Sequence, residues 1–236
     1  DFPAVLLQND DWPSTWTDWA ATSSWQPEKK QRQFTTTCSA GQSASLRYQR
    51  FTPTANEWKE VRLGMGVREG VVPTLVKDFQ AYNAIRQGSH WVGDLAVECM
   101  LQSSSQSGRV VLDLIDGGQQ HSCSIDLVDG TATLTAASGP TAITSTPIVG
   151  NGSWKVMFSN VDDELRIFVD GKIMPTATPV VWSSEITKEA TRDPVLDVVQ
   201  PGSENLSDLA PVGITVTAQK NPVSITVSSL KILRDI

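Results

Sequence analysis

The chain has 236 residues, 39% of them hydrophobic and 19% charged, which suits a folded domain with its own core and excludes a disordered or collagen-like chain. The formal net charge of −7 argues against general nucleic-acid binding, and no apolar run approaches the ~20 residues a membrane helix needs. Cys38, Cys99 and Cys123 have no CxxC spacing and supply neither a disulfide framework nor a zinc site; buried free thiols are expected, and the redox compartment is not legible from them.

In chain order, the amino end "DFPAVLLQND" has neither the basic flank nor the cleavage site of a secretory signal. Either the natural chain is longer or the protein is cytosolic, and the start reads as the boundary of an excised piece. Just after it, "DDWPSTWTDWAATSSW" holds four of the eight tryptophans. Asp11, Pro13 and the pair Trp16/Trp19 predict a short amphipathic helix with Asp11 as its cap. Trp12, Trp16, Trp19 and Trp25 are the candidate ligand contacts, since a glycan platform needs exposed, coplanar rings among polar neighbours. Their mixed spacing lets at most two face one way on a helix. An indole buries on the order of 200 Å² when packed, so a seal on the edge or back of a sandwich is the favoured reading.

From Glu28 to Lys77 nine Lys/Arg stand against four acids. This predicts a solvated basic surface, with a docking face for an acidic surface or lipid head groups as the sharper alternative. Within it "SASLRYQRF" reads as a strand, and "VPTLVKDFQAYNA" follows as another extended piece. From about Trp91 the pattern becomes period-2 strands separated by turn residues, the signature of an all-β sandwich. "WVGDLAVECML" alternates Leu95, Val97, Cys99 and Leu101 on one face. "GRVVLDLID", "HSCSIDLVDG", "TATLTAA", "SWKVMFSN", "DELRIFVDGK", "APVGITVTA" and "NPVSITVSSLKILRDI" follow, joined by Gly, Asp, Asn and Ser. In the last of these, Val223, Ile225 and Val227 share a face while Leu230 and Ile232 take the other register, which predicts a bulge at Ser228-Ser229. No linker or internal repeat divides the chain, so a single domain over 1–236 is expected, with 1–90 as an irregular part packed on main strands in 91–236.

Sandwiches of this size include glycan hydrolases. The Glu-x-Asp-x-x-Glu spacing of retaining glucanases is absent, as is a complete Gly-x-Ser-x-Gly elbow. A hydrolase with unfamiliar carboxylates would need acids on one concave sheet, such as Glu98, Asp113 and Asp126. His90 and His121 lack metal-ligand spacing and read as surface or boundary residues. "NVDDEL" places Asp162 and Asp163 between two strands, where a hairpin turn is favoured over a calcium site. No catalytic residue, metal site or cofactor site is predicted.

"FSNVDDELRIFVDGK", with "SWKVMF" before it, looks like the strand-turn-strand core of concanavalin A-like and laminin-G-like jelly-roll sandwiches. The stretches "NDDWPSTWTDW", "SLRYQRFTPTANEW", "VKDFQAYNA", "HWVGDLAVEC", "HSCSIDLVDGTATL", "FSNVDDELRIFVDG", "DLAPVGITV" and "VSSLKILRDI" occur in this order. Together, from about Asp10 to Ile236, they resemble the large domain inserted into long-form bacterial signal peptidase I proteins, which are membrane-anchored serine peptidases with a Ser–Lys dyad. No methionine here follows a serine, and the Lys-Arg and Gly-Asp-Asn-Ser motifs of that family are missing. The resemblance therefore implies a non-catalytic insertion on the extracytoplasmic face of the membrane, with the remainder of the parent chain as partner and the dyad outside this chain. An envelope glycan is the other expected partner, and a lectin-like module the alternative function. The two ends are expected to lie near each other.

Overall fold

The computed structural model describes residues 15–19, 25–28, 31–52, 55–63, 72–78, 90–182, 193–199, 205 and 207–234, with the side chains of 55, 58, 61 and 62 excepted. Strand formation follows the alternation in the sequence. In β5 (Leu95–Ser103) the residues Leu95, Val97, Cys99 and Leu101 all turn into the core, because every second Cβ of a strand points the same way. The other strands are β1 (Trp16–Asp18), β2 (Gln26–Glu28), β3 (Gln33–Cys38), β4 (Ser43–Tyr48), β6 (Arg109–Asp116), β7 (Gln119–Asp126), β8 (Thr131–Thr135) and β9 (Thr141–Ser145). They are completed by β10 (Gly152–Val161), β11 (Glu164–Val169), β12 (Lys172–Ile173), β13 (Val180–Val181), β14 (Val212–Thr217) and β15 (Val223–Arg234). One helix, α1 (Ala55–Arg62), accompanies them among the described residues. It is not long and apolar enough to cross a membrane.

The strands form two antiparallel sheets, ordered β1-β4-β14-β6-β7-β8-β9 and β12-β11-β10-β5-β15-β3-β2, with β13 also on β11. Successive strands change sheet at β1–β2, β3–β4, β4–β5, β5–β6, β9–β10, β13–β14 and β14–β15, while β6–β9 and β10–β12 run as meanders. This is an all-β jelly-roll sandwich of two antiparallel sheets. Its core is one cluster drawn from both inner faces, with Leu46, Leu112, Ile125 and Ile214 from one sheet and Val97, Phe158, Ile167 and Ile225 from the other.

The bulge falls where the parity break predicts it. The β15–β5 register slips between Ser228 and Lys231, and Ser229 takes a left-handed φ of 51°. The slip lets Val227 and then Leu230 and Ile232 face the core side in turn. Asp162 and Asp163, with φ of 51° and 61°, are the two central residues of the β10–β11 hairpin, the positive pair that a type I′ turn requires.

Three expectations are corrected. Trp16 does not enter a helix: Trp16–Asp18 is β1, paired to Leu46–Tyr48 of β4, and the ladder together with burial of Trp16 overrides local helix propensity. Asp11 and Pro13 lie outside the described residues. Strands β3 and β4 are members of the two sheets rather than a part packed on them from outside, since β3 pairs β15 and β4 pairs β14. His121 is fully buried between the sheets, its ring 4.0 Å from that of Trp182, whereas His90 is exposed as expected. It belongs to a buried polar group in which the Trp182 Nε1–H donates to Asn160 Oδ1 (2.8 Å) and the Asn160 amide to Asp116 Oδ2 (3.1 Å). The Ala137 N–H points at His121 Nδ1 (3.4 Å), which offsets part of the cost of burying the ring.

All three cysteines are free and buried. Burial pushes the Cys99 and Cys123 thiols up to about 12, so neither is a thiolate near neutrality.

Candidate functional site

The outer face of the seven-stranded sheet is where polar side chains are gathered in order. Opposed residues of neighbouring strands share a face, so the registers lay out three rows. The first runs Arg47, Gly213, Asp113, Ser122, Thr135. The second runs Ser45, Thr215, Val111, Ser124, Thr133, Ile143. The third begins Ser43, Thr217, Arg109, Asp126 and reaches Thr131 and Ser145 on the last two strands.

Part of the first row is covered. Arg47 and Asp113 are 5% and 1% exposed and form an ion pair across the intervening β14. The pair is two strands wide, and Gly213 stands between its partners. A Cβ there would overlap Asp113 Oδ2 and come within 2.7 Å of Arg47 Nη2. Arg47 Nη1 also donates to the Ala210 carbonyl (2.8 Å), and its guanidinium lies 5.9 Å from the centre of the Trp19 ring. Trp19, Val199 and Ala210 pack together on this spot. Residues 193–199 and 207–210 thus form a strap over one end of the face. Asp208 pins the strap, accepting from the backbone N–H groups of Gly117 (3.0 Å), Gly118 (2.9 Å) and Val195 (2.8 Å). Burial pushes the Asp208 carboxyl above the usual aspartate range, opposed by these three hydrogen bonds.

The remainder of the face is open. Arg109, Ser124, Asp126, Asp129, Thr131 and Thr133 line a depression of about 390 Å³. Hydroxyls dominate its floor and surroundings: Ser43 Oγ meets Thr217 Oγ1 at 2.9 Å, and Ser45 Oγ meets Thr215 Oγ1 at 2.9 Å. Arg109 Nη2 stands 3.9 Å from Asp126 Oδ2, both half exposed, so the cation is present but tempered. The carboxylates are held by their own loop, Asp126 Oδ1 accepting from Val128 N (2.9 Å) and Asp129 Oδ1 from Thr131 N (2.8 Å). The Thr131 N–H keeps the Asp129 carboxyl below the usual range, and it is therefore ionised near neutrality. No aromatic ring stands on these open rows among the described residues. Such a surface can bind a hydroxyl-rich ligand through hydrogen bonds from Ser, Thr, Arg and carboxylate groups, without stacking.

The candidate ligand contacts from the sequence are placed elsewhere. Trp16, Trp19 and Trp25 are 8%, 5% and 5% exposed, and Trp12 lies outside the described residues. Trp16 packs on Tyr48 with ring centres 5.5 Å apart, and Trp16 and Trp25 join the main core. The three acids proposed for one concave sheet do not meet. Asp113 is consumed by Arg47, and Asp126 lies on the open part of the seven-stranded sheet. Glu98 faces out from the other sheet, where Lys155 (2.8 Å) and Lys231 (3.0 Å) bind its two oxygens. Of the basic residues between Glu28 and Lys77, Arg47 is buried, Arg50 donates to the Leu75 carbonyl and Arg32 sits before β3, while Lys29, Lys30 and Arg68 lie outside the described residues. What sequence reasoning missed is the hydroxyl field itself. Its signal is the second half of the alternation, Ser122/Ser124/Asp126, Thr131/Thr133/Thr135 and Thr215/Thr217, each set out of phase with the apolar residues that mark the strand.

No protein-family model matches the chain, and no curated protein matches it. Among solved structures it is similar to the carbohydrate-binding module CBM66 from Bacillus subtilis, at 10% identity with a TM-score of 0.46, covering 93% of this chain and 95% of that one. It is also similar to an alginate lyase of polysaccharide lyase family 7, at 7% identity and a TM-score of 0.45, covering 92% of this chain and 85% of that one. A galectin from Caenorhabditis elegans, LEC-6, aligns at 13% identity and a TM-score of 0.33 over 58% of this chain and 84% of that one.

Proposed function

We propose that this chain is a lectin-like, glycan-binding β-sandwich module of the cell envelope that performs no catalysis itself. The observation that carries the reading is the open depression on the seven-stranded sheet, lined by the hydroxyls of Ser124, Thr131 and Thr133, with Arg109, Asp126 and Asp129 as its charged groups. A sugar presents hydroxyls that donate and accept at once, and Ser, Thr, Asp and Arg together offer both roles at fixed points on a rigid sheet. Arg109 is tempered by Asp126, so the favoured ligand is a neutral glycan rather than a strongly anionic one. Calorimetry with soluble envelope-glycan fragments tests this. The expected result is saturable binding that weakens about tenfold in Arg109→Ala, the loss of one charge-assisted hydrogen bond. Isotherms that stay flat at millimolar ligand would contradict it.

A second reading is compatible with the first and rests on the eight motifs in order: the module is the insertion of a signal peptidase I on the extracytoplasmic side of its membrane. One feature of the fold favours it. The first described strand and the last approach the same residue, Tyr48, which packs on Trp16 and lies within electrostatic reach of Arg234. Residues 1–14 and 235–236, where the ends themselves lie, are outside the described residues. An immunoblot of fractionated native cells with antibody to this chain is expected to give a membrane-bound band well above 25.6 kDa. A soluble band near that mass would sink the insertion reading and leave the lectin reading standing.

A further inference from the structure

A sheet ends in strands whose outer backbone N–H and C=O groups lack partners, and folded proteins blunt such edges with short strands, prolines or charges. Most edges here are blunted. β1 has three residues and carries Asp18, β2 has three with Pro27 at its centre, and β12 and β13 have two each. β9 is the exception. It has five residues, "TAITS", with neither proline nor charge, and its central Ile143 is 64% exposed. It ends the seven-stranded sheet with β8 as its one strand partner; among the described residues no other backbone N–H or C=O of 141–145 is paired, and the Thr144 hydroxyl donates to the Pro175 carbonyl (2.7 Å).

We propose that β9 is a self-association edge, pairing antiparallel with β9 of a second copy about a two-fold axis beside Ile143. Several observations single out a second copy as the occupant. An antiparallel edge ladder is self-complementary under a two-fold axis, so one unprotected edge suffices for both partners. The strand is uncharged, and two chains of net charge −7 can meet there without bringing like charges together. Ile143 would face its own copy across the axis, and Val149, 46% exposed, follows just beyond the strand. A five-residue ladder buries less than the ~1,200 Å² of a standard interface, so the dimer is a weak one, dissociating at roughly tens to hundreds of micromolar. A two-fold axis normal to the sheet keeps both outer faces on one side. Ile143 is the cross-strand neighbour of Thr133, so the two depressions would lie close to the junction and face the same way. A dimer would then engage a polymeric ligand bivalently, though the pairing itself does not depend on what the depression binds.

Sedimentation velocity over a concentration series to roughly 500 µM reads the association, a range set by the weak interface. The expected result is a concentration-dependent rise from one chain of 25.6 kDa toward twice that mass. Ile143→Lys sets like charges opposite each other and should weaken association by about tenfold or more, whereas Leu196→Lys, at an exposed position away from the edge, leaves it unchanged. In Ile143→Cys, mild oxidation should crosslink two copies, because opposed Cα atoms in such a ladder are about 4.5–5.5 Å apart. The native cysteines are buried and stay silent, and Val128→Cys serves as the exposed control that does not crosslink. A single-chain mass at every concentration would overturn the proposal. So would a dimer indifferent to Ile143→Lys, or one that Ile143→Cys fails to crosslink.

Discussion

Gly213 marks the point on which the covered end of the sheet turns. It lies opposite Arg47 on one side and Asp113 on the other, and only a residue without a side chain lets the guanidinium and carboxylate meet above it. Two buried charges need each other; losing one partner leaves the other uncompensated in a low-dielectric place. Gly213→Ala should therefore force the pair apart and lower stability by about 3 kcal/mol in chemical denaturation, with little further loss when Asp113→Asn is added. Glu98, on the opposite face, is a milder case. The Lys155 hydrogen bond, resisted by partial burial and backed by Lys231, holds its carboxyl below the usual glutamate range. A depressed carboxyl stabilises the fold above its unfolded value, and that contribution is lost as pH falls through the folded one. Glu98→Gln should thus flatten the acid limb of a stability–pH curve below about pH 4.5, by no more than ~1 kcal/mol because both lysines stand in solvent.

At the scale of elements, two devices shape the sandwich, a bulge in the eight-stranded sheet and the strap over one end of the seven-stranded one. The bulge in β15 changes which residues face inward, and it does so by holding Ser229 at a φ of 51°, a conformation that costs a side chain roughly 1 kcal/mol. Ser229→Gly should raise stability by about 0.5–1 kcal/mol and Ser229→Val should lower it by about 1–2 kcal/mol, as thermal unfolding would report. The strap is the second device. The Asp208 carboxylate satisfies both glycine N–H groups of the β6–β7 turn and the Val195 N–H of the strap itself, so Asp208→Ala strands three donors at once. The expected outcome is a loss of about 2 kcal/mol and faster hydrogen exchange at Gly117, Gly118 and Val195, while amides of β10 and β11 are unaffected. The bulge was readable in the sequence, because a parity break within one apolar run is a local signal. The strap was not, since Asp208 acts on residues some ninety positions away.

For the whole molecule, the same division between local and distant information holds. From Trp91 onward the strands announce themselves by alternation and by turn residues such as Asp162-Asp163. The amino-terminal strands are harder to read, because their ladders are made with the far end of the chain: Cys38 lies opposite Val223 and Leu46 opposite Ile214. Three tryptophans that the sequence offers for either ligand or core are enclosed, which the packing preference of a large indole anticipates. The candidate site draws its residues from strands spread across the chain, and only the sheet order puts Ser45, Thr215, Ser124 and Thr133 in one row. Nor could periodicity alone tell which part of that face the strap would cover and which it would leave open.

The open part of the face is where the account is most exposed to test. Amide chemical-shift mapping during titration with an envelope-glycan oligomer reads it residue by residue. Shifts that saturate and cluster on Arg109, Ser124, Asp126, Thr131 and Thr133 are the predicted result. Saturating shifts confined to the outer face of the other sheet, around Glu98 and Lys155, or no shifts at millimolar ligand, would contradict it.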